Sequence, residues 1–262
     1  MTARRRFVVV FGQTIAKHGG SPGDAEDVFA VSCDGRCVAV CDGASVSFDP
    51  RTWATVLAQA FAAMPPPGTS GLPGAWIAGV AARYRAGAER DDWSWAQEEA
   101  YRLGSFSTLL GVRACDRHDG VHLVAVGDTV AVLVDGDRRR ASFPYTEATE
   151  FTLSPDLCST VDRHNVAGPD GNLERAKAAY WPLSGMVAPT LLCMTDALAE
   201  WALRRDAEPV ADGETSVWTR LCALQTREDL LVLVQEEQGA RRMRQDDVTL
   251  VVIVAGAIDE RG

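Results

Sequence analysis

Apolar runs with a two-residue beat and apolar runs with a three-to-four-residue beat occupy separate blocks of this chain, and that segregation restricts the fold more than any single residue does. Strands come first. Phe7-Val8-Val9-Val10-Phe11, Val28-Phe29-Ala30-Val31-Ser32 and Cys37-Val38-Ala39-Val40-Cys41 read as strands, the last two joined through Asp34-Gly35, a dipeptide suited to a tight hairpin turn. From Pro50 the period changes: Trp53, Val56, Leu57, Ala60, Phe61 and Met64 give a helix one apolar face, with Pro50 in its first turn and Pro65-Pro66-Pro67 at its end. Gly68 to Gly74 reads as a loop, followed by helical sequence around Trp76 to Ala88 and Trp95 to Leu103. A second strand block covers Phe106 to Val112, Val121 to Val126 and Val130 to Val134, punctuated by Asp119-Gly120 and Gly127-Asp128. Phe143 to about Asp170 reads as a surface excursion, and beyond it come a strand from Thr190 to Met194, helices over Ala197 to Arg205, Val217 to Leu224 and Asp229 to Gln238, and a last strand from Val248 to Val254. Blocks of strands and helices without a strict βαβ beat predict an α+β fold, a four-layer αββα sandwich of two mainly antiparallel sheets flanked by helices.

A chain of 262 residues, 47% apolar and 24% charged, is expected to form a single well-packed domain over 7–256, with a basic tail at 1–6 and a short tail at 257–262. The net charge is 26 − 36 = −10, which disfavours a surface for the phosphate backbone of nucleic acid. A basic cluster, Arg4-Arg5-Arg6, lies near the start of the sequence. No apolar run approaches the roughly 18 residues of a membrane span, and Phe7 to Phe11 is too short for a signal-peptide core, so a cytoplasmic protein is expected. The seven cysteines form no CxxC pair, and the spacing of Cys33, Cys37 and Cys41 does not match a zinc knuckle. Trp53, Trp76, Trp201 and Trp218 fall on apolar helix faces and are expected in the core, while His18, His118, His122 and His164 show no ligand spacing.

The chemistry is carried by four acidic stretches, each beside a strand: Glu26-Asp27, Asp42-Gly43, Thr195-Asp196 and Asp246-Asp247. Carboxylates at strand ends are the ligands preferred by hard cations such as Mg²⁺ or Mn²⁺, which polarise phosphoryl oxygens and generate hydroxide. A phosphate-ester hydrolase is the expectation. Each stretch also has a plainer use. Asp42-Gly43 is a possible hairpin turn, Asp196 a possible helix N-cap, and Asp246 a possible member of a charged loop. A helix, not a returning strand, follows Asp42-Gly43, which favours the metal reading.

Six blocks in order, Glu26-Asp27-Val28-Phe29-Ala30-Val31, Val40-Cys41-Asp42-Gly43, Gly104-Ser105-Phe106-Ser107-Thr108, Val126-Gly127-Asp128-Thr129, Leu192-Cys193-Met194-Thr195-Asp196 and Asp246-Asp247-Val248-Thr249, together resemble the metal-dependent Ser/Thr protein phosphatases of the protein phosphatase 2C family. The resemblance implies a centre of two Mn²⁺ or Mg²⁺ ions, with a weaker third, at one end of a two-sheet sandwich. Asp42 would bridge the two ions with the Gly43 carbonyl as a further ligand. Asp196 and Asp246 would hold the first ion, Glu26 and Asp27 the second directly or through water, and Asp128 a third alongside Asp196. Asp42, Asp196 and Asp246 are thereby the catalytic candidates.

The departures from the family pattern are specific. Ala44-Ser45-Val46 stands where many members have His-Gly-Gly, and Pro22, Gly23 and Asp24 stand where a phosphate-gripping Arg is expected, leaving Lys17 and Ser45 as substrate-binding candidates. Ala197 replaces the usual Gly after Asp196, and Asp247 the usual Asn after Asp246. The implied activity is hydrolysis of phosphoserine or phosphothreonine on the protein targets of a Ser/Thr kinase. The alternatives are a pseudophosphatase that binds a phosphoprotein without turnover and a hydrolase of small phosphate esters.

Overall fold

The structure, a computed structural model, describes residues 5–17, 21–66, 71–88, 93–151, 154–209 and 215–257. Arg4, His18, Pro67, residues 68–70 of the expected loop at 68–74 and residues 258–262 of the expected C-terminal tail lie outside them. The strands are β1 (Arg5–Ile15), β2 (Val28–Val31), β3 (Cys37–Cys41), β4 (Phe106–Ser107), β5 (Leu109–Ala114), β6 (Gly120–Val126), β7 (Val130–Asp135), β8 (Arg138–Phe143), β9 (Cys158–Ser159), β10 (Lys177–Pro182), β11 (Pro189–Met194) and β12 (Val248–Ala257). The helices are α1 (Pro50–Ala63), α2 (Gly74–Ala88), α3 (Trp95–Leu103), α4 (Asp196–Ala207), α5 (Val217–Cys222) and α6 (Arg227–Gly239).

Ten of the strands form two antiparallel sheets, ordered β1-β12-β11-β7-β8 and β10-β6-β5-β3-β2. Side chains alternate across each strand, so one sequence supplies two cores. Val38 and Val40 of β3, Leu110 and Val112 of β5, and Leu123 of β6 face Leu133, Leu191, Val251 and Ile253 of the other sheet and are sealed between them. Their sequence neighbours Ala39, Cys41, Leu109 and Val124 face outward and are covered by Trp53, Leu57 and Phe61 of α1 and Ile77, Val80 and Tyr84 of α2. On the opposite side Val130, Val132, Leu192, Met194, Leu250 and Val252 pack under Trp201 of α4, Trp218 of α5 and Leu230 of α6. The layers are therefore helix, sheet, sheet, helix, as the block pattern predicts.

Trp53, Trp201 and Trp218 are buried and Trp76 partly so, in agreement with their expected packing role. Among the described residues, which include all seven cysteines, no disulfide forms. Arg5 and Arg6, read from the sequence as tail, are the first residues of β1. Arg5 donates to Asp119 at 3.1 Å and to the carbonyls of Met186 and Ala255 at 2.7 and 3.1 Å, tying β1 to loops beneath it. Three strands escaped the sequence reading: β8, β10 and the two-residue β9, which lies in the stretch read as a surface excursion. β8 carries Arg138-Arg139-Arg140 and β10 is half exposed, and both are edge strands whose solvent faces blur the two-residue beat.

The helix layer sits close to its sheet because Gly111 leaves room for it. A Cβ at Gly111 would stand 2.2 Å from Phe61 Cζ, and the neighbouring residue across the ladder is Ala39, also small. Gly111→Ala must push α1 outward, and overpacking of this kind costs about 1–3 kcal/mol. Urea denaturation should show that loss, and Phe61→Leu in the same chain should recover part of it.

Candidate metal centre

One end of the sandwich gathers carboxylates from five places in the sequence. Asp42 follows β3, Asp128 lies in the turn between β6 and β7, and Asp196 opens α4; a carboxylate oxygen from each lies within 4.8 Å of the other two. Asp128 and Asp196 are buried and Asp42 is partly exposed. Asp27, just before β2, is 2% exposed and close enough to Asp42 and Asp196 for their charges to act on it. Asp246, just before β12, borders this group at its rim with its side chain 43% exposed, in the field of Asp196.

Hydroxyls and amides fix these side chains. The Asp42 amide donates to Thr108 Oγ1 at 2.9 Å, while the Thr108 amide and the Ser107 hydroxyl donate to the Asp42 carbonyl at 2.8 and 2.9 Å. Thr108 Oγ1 lies 2.7 Å from Thr129 Oγ1, next to Asp128. Thr195 Oγ1 donates to Asp27 at 2.8 Å and accepts from the Thr249 amide at 2.9 Å. Gly43 is confined as well, since a Cβ there would meet the Pro50 backbone at 2.9 Å. Arg51 of α1 donates to the Ala25 carbonyl and so holds the segment that carries Glu26 and Asp27.

Crowding and dehydration raise the carboxyl pKa values. Burial is the largest cause for Asp27 and Asp42, followed by the charges of their acidic neighbours, and both are pushed well above the ordinary aspartate value. Burial and then Asp196 push Asp128 up to about 7. Among the described residues neither carboxylate oxygen of Asp128 has a hydrogen-bond partner, although both are buried. Buried, unpartnered and like-charged oxygens are costly in a protein that offers nothing to neutralise them. An all-oxygen, all-carboxylate set is also the donor set that hard divalent cations prefer.

Glu26 points to the rim, where it accepts from Lys17 Nζ at 3.1 Å and from the Ser45 hydroxyl. Lys17 Nζ also donates to Ser45 Oγ at 3.0 Å and lies 4.0 Å from Asp246. Lys17 and Ser45, chosen from the sequence as candidates to meet substrate, thus stand together at the edge of the acidic pocket.

No family model matches the sequence, and no curated protein matches it. Solved structures match along nearly the whole backbone. The catalytic domain of the serine/threonine protein phosphatase PstP, in complex with two manganese ions, aligns with a TM-score of 0.56 at 16% identity, over 97% of this chain and 100% of that one. PppA, a key regulatory component of T6SS in Pseudomonas aeruginosa, aligns at 0.56 and 17% identity over 97% and 98%. The Mycobacterium tuberculosis phosphatase PstP/Ppp aligns at 0.53 and 15% over 96% and 99%. The chain has the protein phosphatase 2C fold.

Within that fold the sequence-derived acidic set comes to one end, but not all at one depth. Asp42, Asp128 and Asp196 make the tight group, Asp27 lies beside it, and Asp246 and Glu26 occupy the rim. Asp196 is the first residue of α4, and its Oδ1 accepts from the Ala197 amide at 2.5 Å, so it serves the helix N-terminus as well as the acidic group.

Two residues went unrecognised in the sequence. Asp247, noted only as a replacement for Asn, is buried and accepts from the Lys17 amide at 2.7 Å and the Glu26 amide at 2.6 Å, bracing two segments of the rim at once. Arg244 was passed over in a run of charges, yet it donates to Asp196. Neither role leaves a signal in spacing, because each partner is more than 40 residues away.

Two outcomes follow from this geometry. In Asp247→Asn one of the two amides would face an NH₂ group, and a buried donor left unpaired costs about 1–3 kcal/mol, readable by chemical denaturation. For Asp128 the sign is fixed by its raised pKa. Between about pH 4, where an ordinary aspartate ionises, and about 7, where folded Asp128 does, the unfolded chain holds fewer protons than the folded one. Stability of the metal-free protein should fall through that window and level off above it, with Asp27 and Asp42 acting in the same direction. Thermal melts of Asp128→Asn should show a shallower fall and a higher Tm at about pH 8. An identical pH slope in wild type and variant would contradict the assignment.

Proposed function

We propose that the protein is a metal-dependent phosphoprotein phosphatase acting on phosphoserine and phosphothreonine. The observation that carries this reading is the convergence of Asp42, Asp128 and Asp196 within 4.8 Å, with both oxygens of Asp128 buried and unpartnered. Asp42, Asp196 and Asp246 would hold one Mn²⁺ or Mg²⁺, and Asp42, the Gly43 carbonyl, Glu26 and Asp27 a second, with Asp128 and Asp196 offering ligands for a third. Bound there, such ions would supply Lewis-acid polarisation of the phosphoryl oxygens and lower the pKa of a water molecule.

The chain's own residues do the rest. Lys17 lies partly exposed on the rim, where the cost of its burial is outweighed by Glu26, Asp247 and Asp246, which favour its charge, and is placed to meet an incoming phosphate dianion. Ser45 stands beside it, accepting from Lys17 and donating to Glu26. Thr108 holds the backbone amide of Asp42 and Thr195 holds the carboxylate of Asp27, so this part of the arrangement is set before substrate arrives. Lys17, Glu26 and Asp246 are partly exposed at the rim, where a phosphorylated side chain of a protein would approach. A Ser/Thr kinase would supply that substrate, and the cytoplasm is the compartment this reading calls for.

A second reading has one observation in its favour. Ala44 follows Asp42-Gly43 with no side chain able to protonate a leaving group, which fits a slow enzyme or a phosphoprotein-binding pseudophosphatase. Both readings are decided together by Mn²⁺-dependent phosphate release from an aryl phosphate and from phosphothreonine peptides. Asp42→Ala should lower the rate by more than about a hundredfold, since even residues that merely orient metal ligands cost 10–100-fold. Equal inactivity of wild type and Asp42→Ala, with phosphoprotein binding retained, would assign the protein to the second reading.

A further inference from the structure

A guanidinium already lies against the acidic pocket. Arg244 stands in the segment between α6 and β12, and its Nη2 donates to Asp196 Oδ2. Its Nε lies 3.0 Å from Glu200 Oε2, and Glu200 follows Asp196 by four residues on α4, one helical turn along the same face. Two carboxylates of one helix thus bracket a single planar cation. The backbone that carries it is also held: Gln238 donates to the Arg244 carbonyl at 2.8 Å, and the adjacent Met243 is buried.

Positive charge in this end of the molecule is therefore divided. Lys17 serves the rim at Glu26 and Asp246, and Arg244 serves the side where Asp196 approaches Asp128. That second side has the makings of an ion site, since Asp128 presents two buried oxygens without a protein partner and Asp196 another. Oδ1 of Asp196 accepts from the Ala197 amide and Oδ2 from Arg244, so both oxygens already have a donor, and a divalent ion placed beside Arg244 on the Asp128 side would be repelled by the guanidinium. Arginine keeps its charge at every pH the fold survives, and its tether gives it no dissociation to undergo.

We infer that Arg244 is a resident counter-cation: clamped between Asp196 and Glu200, it takes the place of a divalent ion on the Asp128 side of the cluster and confines metal binding to the Asp27, Asp42 and Asp246 side. The inference rests on the metal-centre reading proposed above. It makes the metal count of this chain a property of one arginine, and it gives Glu200, which lies outside the acidic cluster, a positioning role.

The test is the number of Mn²⁺ ions bound, by calorimetric titration and by loss of the free-ion paramagnetic resonance signal, for wild type, Arg244→Ala, Arg244→Gln and Glu200→Gln, each checked for folding by circular dichroism. Both Arg244 variants should take up one ion more than wild type. Glu200→Gln, with one jaw of the clamp removed, should gain the same ion at lower affinity. Equal counts above zero in wild type and the Arg244 variants would overturn the inference and leave the metal centre standing, whereas no Mn²⁺ in any of the four proteins would overturn both. Should the Arg244 variants fail to fold, Glu200→Gln decides, and an unchanged count and affinity there overturns the clamp.

Discussion

Mutual repulsion among buried carboxylates is the constraint around which this molecule is arranged. Asp27, Asp42, Asp128 and Asp196 occupy one end of the sandwich, where lost hydration and neighbouring charge both resist ionisation. Left to itself such a group would protonate or splay. The fold restrains splaying by placing each acid beside a strand or at the start of a helix that packs into one of the cores. Protonation is the remaining escape in the absence of cations, and cations are the remedy that the donor set selects.

The restraint is delivered largely by threonine. Thr108 and Thr129 are joined just ahead of β5 and β7, beside Asp42 and Asp128, while Thr14 meets the Thr249 hydroxyl and the Thr249 amide donates to Thr195, whose hydroxyl donates to Asp27. A β-branched residue on a strand has few rotamers to lose, and its hydroxyl can donate to one neighbour while accepting from another. The acids are thereby linked to each other through groups that carry no charge. Rigid, uncharged support beneath charged ligands is what a site needs if its geometry is to exist before the reaction begins.

Much of this was legible in the sequence, and the limits have physical causes. Strands buried on both faces, such as β3 with its run Cys37 to Cys41, announce themselves as continuous apolar segments, and the acidic residues that close them can be read in order. β8 and β10 are edges with one face in water, so Arg138-Arg139-Arg140 and Lys177-Ala178 hide the pattern. Membership of the acidic set was readable from strand ends, but depth was not: nothing in Asp246 or Glu26 marks them as rim and nothing in Asp128 marks it as buried. Arg244 and Asp247 act on residues brought close only by the tertiary fold. A charged run such as Arg241-Arg242-Met243-Arg244 reads as a solvated surface until the buried Met243 fixes which arginine turns inward.

The pairing of β1 with β12 sets an order on how the protein comes into being. Thr14 lies opposite Thr249, and among the described residues β12 is the only ladder partner that β1 has. A ribosome emitting this chain releases β1 first and its mate last, so the earliest strand must wait for nearly the entire sequence to be translated. Lys17, at the end of that waiting strand, and Asp247, at the start of the late one, meet in the same closing step. The rim, where Lys17, Glu26 and Asp246 meet, is thereby closed only after the segments that carry Asp42, Asp128 and Asp196 have been made.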